Sequence, residues 1–182
     1  MPYLASGQDI KMIAPDFILP DVLTDRNWSL YQVADGRPVV VMFLGNHCPY
    51  VKHIESEISK IAKIYYNEVA FVAVSSNNVA SYPDESPEHL KAQVERLGFN
   101  FPYFYDDRQQ VARELKVIYT PDFFVFDKDK KHIYHGQFDD SRPNNNIEIS
   151  GRDLINAIEN AVNEEKVVGE QKQSFGCKIF TE

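Results

Sequence analysis

The residues of this chain best suited to chemistry are its two cysteines, Cys48 and Cys177. Cys48 stands directly before Pro49, where an apolar run gives way to an amphipathic one. Proline favours the first position of a helix, so Cys48 is predicted to be its N-cap. Free backbone N–H groups and the helix dipole stabilise a thiolate there, and such thiols have pKa values of roughly 3.5–7.5. The pattern therefore indicates a nucleophile; the alternative is a small buried hydrophobic residue, the usual fate of a free cysteine.

Three predicted elements position Cys48. The uninterrupted apolar run ending at Leu44 predicts a strand over 38–44, buried on both faces of a parallel sheet. A second such run predicts a strand over 69–74, and the segment between them predicts a helix over 49–66. The apolar residues of that helix recur at helical spacing: Val51, Ile54, Ile58, Ile61, Ala62 and Tyr65. Strand, helix and strand form a βαβ unit, and reactive groups gather at the carboxyl ends of such strands.

The rest of the chain predicts further elements of an α/β protein. We expect an extended N-terminal segment over 14–22, a helix that opens at Ser86 and ends at Gly98, a short strand over 101–105, and a helix capped by Asp106 or Asp107. A strand then follows Thr120-Pro121 to residue 126 and forms an antiparallel hairpin with residues 132–138. A capping box at Ser150 predicts the start of the last long helix.

Composition limits the classes of function. A formal net charge of −8 argues against non-specific nucleic-acid binding, and no apolar run approaches the length of about 20 residues that a membrane-spanning helix needs. With no leader pattern and only two cysteines, we expect a cytoplasmic protein. No glycine-rich phosphate loop is present, so we expect no nucleotide cofactor. We expect one domain over 1–182, with a C-terminal tail from about 164 to 182.

These elements, with the motifs Gly-Asn-His-Cys-Pro-Tyr-Val (45–51), Phe-Asp-Asp-Ser-Arg-Pro-Asn (138–144) and Gly-Cys-Lys-Ile (176–179), resemble the peroxiredoxin-like AhpC/TSA branch of the thioredoxin-fold superfamily. The resemblance covers roughly residues 10 to 180. It implies an α/β, thioredoxin-like fold: a central mixed sheet flanked by helices, an N-terminal extension, and an insertion between the βαβ unit and the strand of the cis-proline. Pro121 matches that cis-proline.

The sequence departs from the pattern of both better-known relatives. Thioredoxins carry Cys-x-x-Cys, but Val51 stands where the second cysteine would be. Peroxiredoxins carry Pro-x-x-x-Thr/Ser-x-x-Cys and an arginine, and the proline and the hydroxyl are missing before Cys48. Where the arginine would fall, the chain has Tyr119, Thr120 and Pro121. Any thiol that resolves an oxidised Cys48 must therefore come from Cys177, another subunit or solution.

The resemblance implies a thiol-dependent redox protein. Cys48 would attack a disulfide or a peroxide, an external thiol reductant or Cys177 would regenerate it, and Thr120 and Pro121 would border a substrate groove together with His47 and Pro49. The simpler alternative is that Cys177 is an inert thiol in the tail. A third alternative is a homodimer in which Cys177 forms a bridge between two subunits. The rival function is a non-catalytic module that holds a peptide in this groove.

Three polar features have no assigned role in the sequence. His47 could hydrogen-bond the thiol or be a polar surface residue. His47, Cys48 and His53 match no common ligand spacing, so we expect no metal. The charged cluster of Asp139, Asp140 and Arg142 has no role that the residues themselves identify.

Overall fold

The computed structural model describes residues 12–180. Its strands are β1 (Ile18–Pro20), β2 (Asn27–Ser29), β3 (Val39–Phe43), β4 (Ala70–Ser75), β5 (Tyr103–Tyr105), β6 (Tyr119–Thr120), β7 (Asp122–Phe126), β8 (His132–Gly136) and β9 (Cys177–Lys178). Its helices are α1 (Leu30–Ala34), α2 (Pro49–Ile64), α3 (Pro87–Leu97), α4 (Gln110–Glu114) and α5 (Arg152–Val162), with a 3₁₀ turn at Pro83–Glu85. No helix within residues 12–180 is long and apolar enough to cross a membrane.

Five strands form a central mixed sheet in the order β5–β4–β3–β7–β8. β3, β4 and β5 are parallel, whereas β7 runs antiparallel to both β3 and β8. Every residue of β3, β4 and β7 is buried, because apolar clusters cover both faces of the sheet. α2, α3 and α5 contribute to one cluster, and α1 and α4 to the other. The prediction of an α/β fold with a mixed sheet flanked by helices is confirmed.

Helix α2 forms because its apolar residues share one face. Val51, Ile54, Ile58 and Ile61 are at most 3% exposed, and burial of each such side chain stabilises the fold by roughly 1.5–3 kcal/mol. The helix begins at Pro49 as predicted, with Cys48 at the N-cap. It ends at Ile64, two residues before the predicted boundary.

Helix α5 begins differently from the prediction. The expected capping box at Ser150 is wrong: the N-cap is Gly151, and it makes no side-chain cap bond. The buried carboxylate of Asp139 instead accepts the backbone N–H groups of Ser150 and Gly151, each at 2.8 Å. Gly151 has a φ of +66°, and an added Cβ would lie 2.7 Å from the Ile61 side chain, so a glycine suits the position. A residue distant in sequence therefore caps this helix.

The peptide bond between Thr120 and Pro121 is cis, as the resemblance implied. It separates β6 from β7, and β7 begins at Asp122, directly after Pro121, and ends at Phe126 as predicted. β6 is not part of the central sheet. It pairs antiparallel with β9, which places Thr120 opposite Cys177 in the C-terminal tail.

Candidate functional site

Cys48 lies at the N-terminus of α2, just beyond the carboxyl end of β3. Its backbone is extended, with φ −75° and ψ 120°, and Pro49 follows as the first helical residue. The parallel βαβ unit of β3, α2 and β4 places this turn at an edge of the sheet where reactive groups gather. Unlike a typical exposed nucleophile, Cys48 is 0% exposed.

Cys177 lies directly against Cys48. The two sulfurs are 2.7 Å apart, and both thiols are free. The pairing of β9 with β6 produces this contact, because it sets Cys177 opposite Thr120, whose carbonyl oxygen is 3.4 Å from the Cys48 sulfur. Cys177 is partly exposed whereas Cys48 is fully buried. The structure therefore brings together the two cysteines that the sequence could not place relative to one another.

The two thiols have opposite pKa shifts. The Cys177 thiol donates a hydrogen bond to Cys48, and this is the largest cause that lowers the pKa of Cys48 from 9.0 to about 6. Burial opposes the shift, while the Thr120 side chain and the backbone N–H groups of Val51 and Cys177 add to it. The same hydrogen bond, with burial, raises the pKa of Cys177 well above its ordinary value. The pair thus holds one proton, with the negative charge on Cys48.

The tail that carries Cys177 is anchored on both sides of it. The Ser174 hydroxyl donates to the Asp122 carboxylate at 2.5 Å, and the Ile179 amide donates to the Ile118 carbonyl at 2.9 Å. The Ile179 side chain is 0% exposed within the apolar cluster. Between the anchors, Gly176 approaches Thr120 so closely that an added Cβ would lie 1.8 Å from its carbonyl oxygen. The tail is therefore a packed part of the fold.

His47 hydrogen-bonds a buried glutamate rather than the thiol. Its ring Nδ1 lies 2.5 Å from Oε1 of Glu85, its amide donates to the same oxygen at 2.8 Å, and its ring stacks on Tyr82 with centroids 3.9 Å apart. Glu85 is 0% exposed and also accepts the Ser75 hydroxyl at 3.0 Å. These contacts tie the loop before Cys48 to the 3₁₀ turn.

Sequence reasoning missed Glu85. Its surroundings, Tyr-Pro-Asp-Glu-Ser (82–86), have the composition of an exposed loop, and nothing in that composition indicates burial. An added Cβ at Gly45 would lie 3.1 Å from Glu85 Oε1 and 3.5 Å from Thr120 Oγ1, so both polar groups approach the same glycine. The only signal in the sequence was a glycine at the end of a buried strand, where close approach is common.

The charged cluster after the hairpin lies beside the cis-proline. A small cavity of about 20 Å³ is lined by Tyr50, His53, Pro121, Arg142 and Phe175, among others. The Arg142 guanidinium donates to the carbonyls of Asp139 and Ser141 and to Gln137, and it lies 5.9 Å from the Phe175 ring.

The two aspartates of the cluster have separate structural roles. Asp139 caps α5. Asp140 accepts from Lys172 at 2.8 Å, which, with a bond from Gln137, keeps its pKa low. Asp139 thus stabilises the start of α5, and Asp140 holds the part of the tail that carries Lys172.

The described part of the chain contains no group of three or more His, Cys, Asp and Glu residues placed to hold a metal ion. His53, which was weighed as a ligand, lies with its Nε2 3.1 Å from the Ser141 hydroxyl.

A cysteine at a helix N-terminus beside a cis-proline, on a mixed sheet covered by helices, defines a protein of the thioredoxin-like class. Residues 10–135 match the AhpC/TSA family. The chain belongs to that family.

Solved structures agree with this assignment. An uncharacterized conserved protein from Geobacillus kaustophilus is 41% identical, with a TM-score of 0.90 over 94% of this chain and 91% of that one. A hypothetical protein from Sinorhizobium meliloti is 37% identical, with a TM-score of 0.89 over 92% of each chain. A secreted Mycobacterium tuberculosis disulfide oxidoreductase shares the fold at 16% identity, with a TM-score of 0.60 over 79% of this chain and 95% of that one. We found no significant match among curated proteins.

Proposed function

We propose that this protein is a thiol redox protein in which the Cys48 thiolate reacts with a disulfide or a peroxide and Cys177 then resolves the product. The observation that carries the proposal is the contact of the two sulfurs at 2.7 Å, with the pKa of Cys48 lowered to about 6. At neutral pH a thiol with that pKa is mostly thiolate, which is the nucleophilic form. The Mycobacterium neighbour described as a disulfide oxidoreductase shares the fold, in keeping with this chemistry.

With a peroxide, the Cys48 thiolate attacks one oxygen of the O–O bond. The sulfur is oxidised to a sulfenic acid, and the second oxygen leaves as an alcohol or water after taking up a proton. Cys177 then attacks the Cys48 sulfur, loses its proton, and displaces the hydroxyl as water. The product is a Cys48–Cys177 disulfide, and two equivalents of an external thiol reduce it and leave as their own disulfide.

With a disulfide, the Cys48 thiolate attacks one sulfur and displaces the other as a thiolate. Cys177 then attacks Cys48 in the mixed disulfide, releases the second substrate thiol and closes the same bridge. This second step replaces the function that Cys-x-x-Cys performs in thioredoxins, because Val51 occupies the position of the second cysteine. A resolving thiol already in contact acts at high effective concentration, so neither a second subunit nor a solution thiol is needed.

The rival function, a peptide-binding module without catalysis, is not favoured. It requires backbone groups of Thr120 that are free to bind an extended peptide, but Thr120 is paired with Cys177 of the same chain.

The test is oxidation of the reduced protein with one equivalent of hydrogen peroxide or glutathione disulfide, followed by peptide mapping. We expect a Cys48–Cys177 link in the wild type. Cys177→Ser is expected to stop at a stable sulfenic acid or mixed disulfide on Cys48, and Cys48→Ser to form no bridge. Wild-type protein whose Cys48 stays unmodified by either oxidant would contradict the whole proposal, and oxidised Cys48 beside a free Cys177 would contradict the resolving role.

A further inference from the structure

The edge of β6 beside the cis-proline is a site for strand addition, and the chain itself demonstrates this. β9 adds to it antiparallel, with Thr120 opposite Cys177 and Tyr119 opposite Lys178. The Ile179 amide extends the pairing to the Ile118 carbonyl. A polypeptide in extended conformation that presents its own cysteine to Cys48 would pair with the same backbone N–H and C=O groups of β6. They are used by the segment Gly176–Ile179, which we call the tail strand.

The tail strand fits this edge closely. Because an added Cβ at Gly176 would lie 1.8 Å from the Thr120 carbonyl oxygen, only a glycine permits so close an approach. The buried Ile179 side chain and the hydrogen bond from Ser174 to Asp122 hold the strand on either side of Cys177. A second strand cannot pair with β6 until these contacts open.

The cavity that borders the cis-proline is small, and the larger open cleft of about 500 Å³ beside Tyr119, Ser174 and Phe175 is lined by neither Pro121 nor Cys48. The cavity bordered by Pro121, Tyr50 and Phe175 has a volume of about 20 Å³. This is room for roughly one water-sized group and not for a strand with side chains. The Phe175 and Tyr50 rings, which both line this cavity, pack edge to face with their centroids 5.4 Å apart and limit its size.

From these contacts we infer that the tail strand excludes polypeptide disulfides from Cys48 and restricts its exchange to low-molecular-weight disulfides. The inference rests on the proposed function, because it takes the Cys48 thiolate as the attacking group. Because Cys48 is 0% exposed, any disulfide needs a local shift to reach its sulfur, but a small disulfide requires no pairing with β6 and leaves the tail strand in place. A polypeptide disulfide requires the tail strand to leave first, and Cys177 leaves with it.

The experiment compares two symmetric disulfides, so that attack on either sulfur of a probe gives the same products. One is glutathione disulfide, and the other is the disulfide-linked dimer of a short extended peptide with a central cysteine. The rate of oxidation of reduced wild-type protein is followed by mass spectrometry. We expect the peptide probe to react at least about tenfold more slowly, because local opening of the tail must precede pairing.

A variant that loosens the tail strand tests the cause. Gly176→Ala places a methyl group against the Thr120 carbonyl while it keeps both cysteines, so we expect the rate ratio of the two probes to fall toward one. A peptide probe with N-methylated backbone amides cannot pair, and it should stay slow with this variant. Val168→Ala, at a residue 87% exposed and outside the tail strand, is the matched control and should keep the wild-type ratio.

Equal rates with both probes in the wild type, or an unchanged ratio in Gly176→Ala, would overturn the inference while the proposed function stands. Failure of the proposed function has a different signature: neither probe would modify Cys48 in any variant.

Discussion

The strongest test of the site concerns the source of the low pKa of Cys48. Several hydrogen bonds lower this pKa, and the bond from the Cys177 thiol makes the largest contribution, ahead of those from the Thr120 side chain and the Val51 amide. Cys177→Ala removes that bond and leaves the helix unchanged. We therefore expect the pKa of Cys48 to rise from about 6 in the wild type toward the ordinary thiol value near 8.5.

The size of the effect follows from the titration curve. At pH 7, a pKa of about 6 leaves roughly 90% of Cys48 as thiolate, and a pKa near 8.5 leaves roughly 3%. The assay is the ultraviolet absorbance of the thiolate, followed from pH 4 to 10 in the reduced protein. It reports ionisation directly, whereas an alkylation rate would also respond to the greater exposure of Cys48 once Cys177 is shortened.

Cys177→Ser is the matched control, because a serine hydroxyl can still donate a hydrogen bond to the Cys48 thiolate. Its midpoint should lie between those of the wild type and Cys177→Ala. If Cys177→Ala titrates at the wild-type midpoint, then groups other than the Cys177 thiol stabilise the thiolate, and the reasoning from the sulfur contact is refuted.

Two further predictions concern buried carboxylates. Glu85→Ala leaves the His47 amide and the Ser75 hydroxyl without their acceptor, so we expect the free energy of unfolding, measured with urea, to fall by roughly 2–4 kcal/mol. Glu95 is exposed, so the control Glu95→Ala should change it by less than about 0.5 kcal/mol. Equal losses in the two variants would refute the argument. Asp139→Ala removes the acceptor of two backbone N–H groups at the start of α5, so it should lower the free energy of unfolding by roughly 2–4 kcal/mol in the same assay. The thiolate titration of Cys48 should stay unchanged in this variant. A large shift of its midpoint would contradict the purely structural role of Asp139.

Sequence patterns were sufficient for elements whose signal is local. The strand before Cys48 and the helix after it follow from an uninterrupted apolar run, a proline at the first helical position and apolar residues at helical spacing. These features involve residues only a few positions apart, so they can be recognised in the sequence without knowledge of the tertiary structure. The cis bond before Pro121 came from resemblance to a family, since proline alone makes a cis bond in only about 5–6% of cases.

Long-range contacts could not be read in the same way. The cap of α5 was predicted at Ser150, but the carboxylate that serves it belongs to Asp139, eleven residues away. Glu85 likewise lies in a segment of loop composition and becomes buried only because the fold packs it against His47. In both cases the partner of a polar group is chosen by tertiary packing, which local composition does not encode.

By itself, the sequence determined that Cys48 follows a buried strand and caps the next helix. It also determined that Val51, and not a second cysteine, stands three residues after Cys48. Only the tertiary structure decided where the tail runs. It brings Cys177 to 2.7 Å from Cys48, and this contact is the largest cause of the lowered pKa of Cys48. The physical reason is that the course of the tail depends on the pairing of β9 with β6 and on the close approach of Gly176, and neither leaves a periodic signal in the sequence.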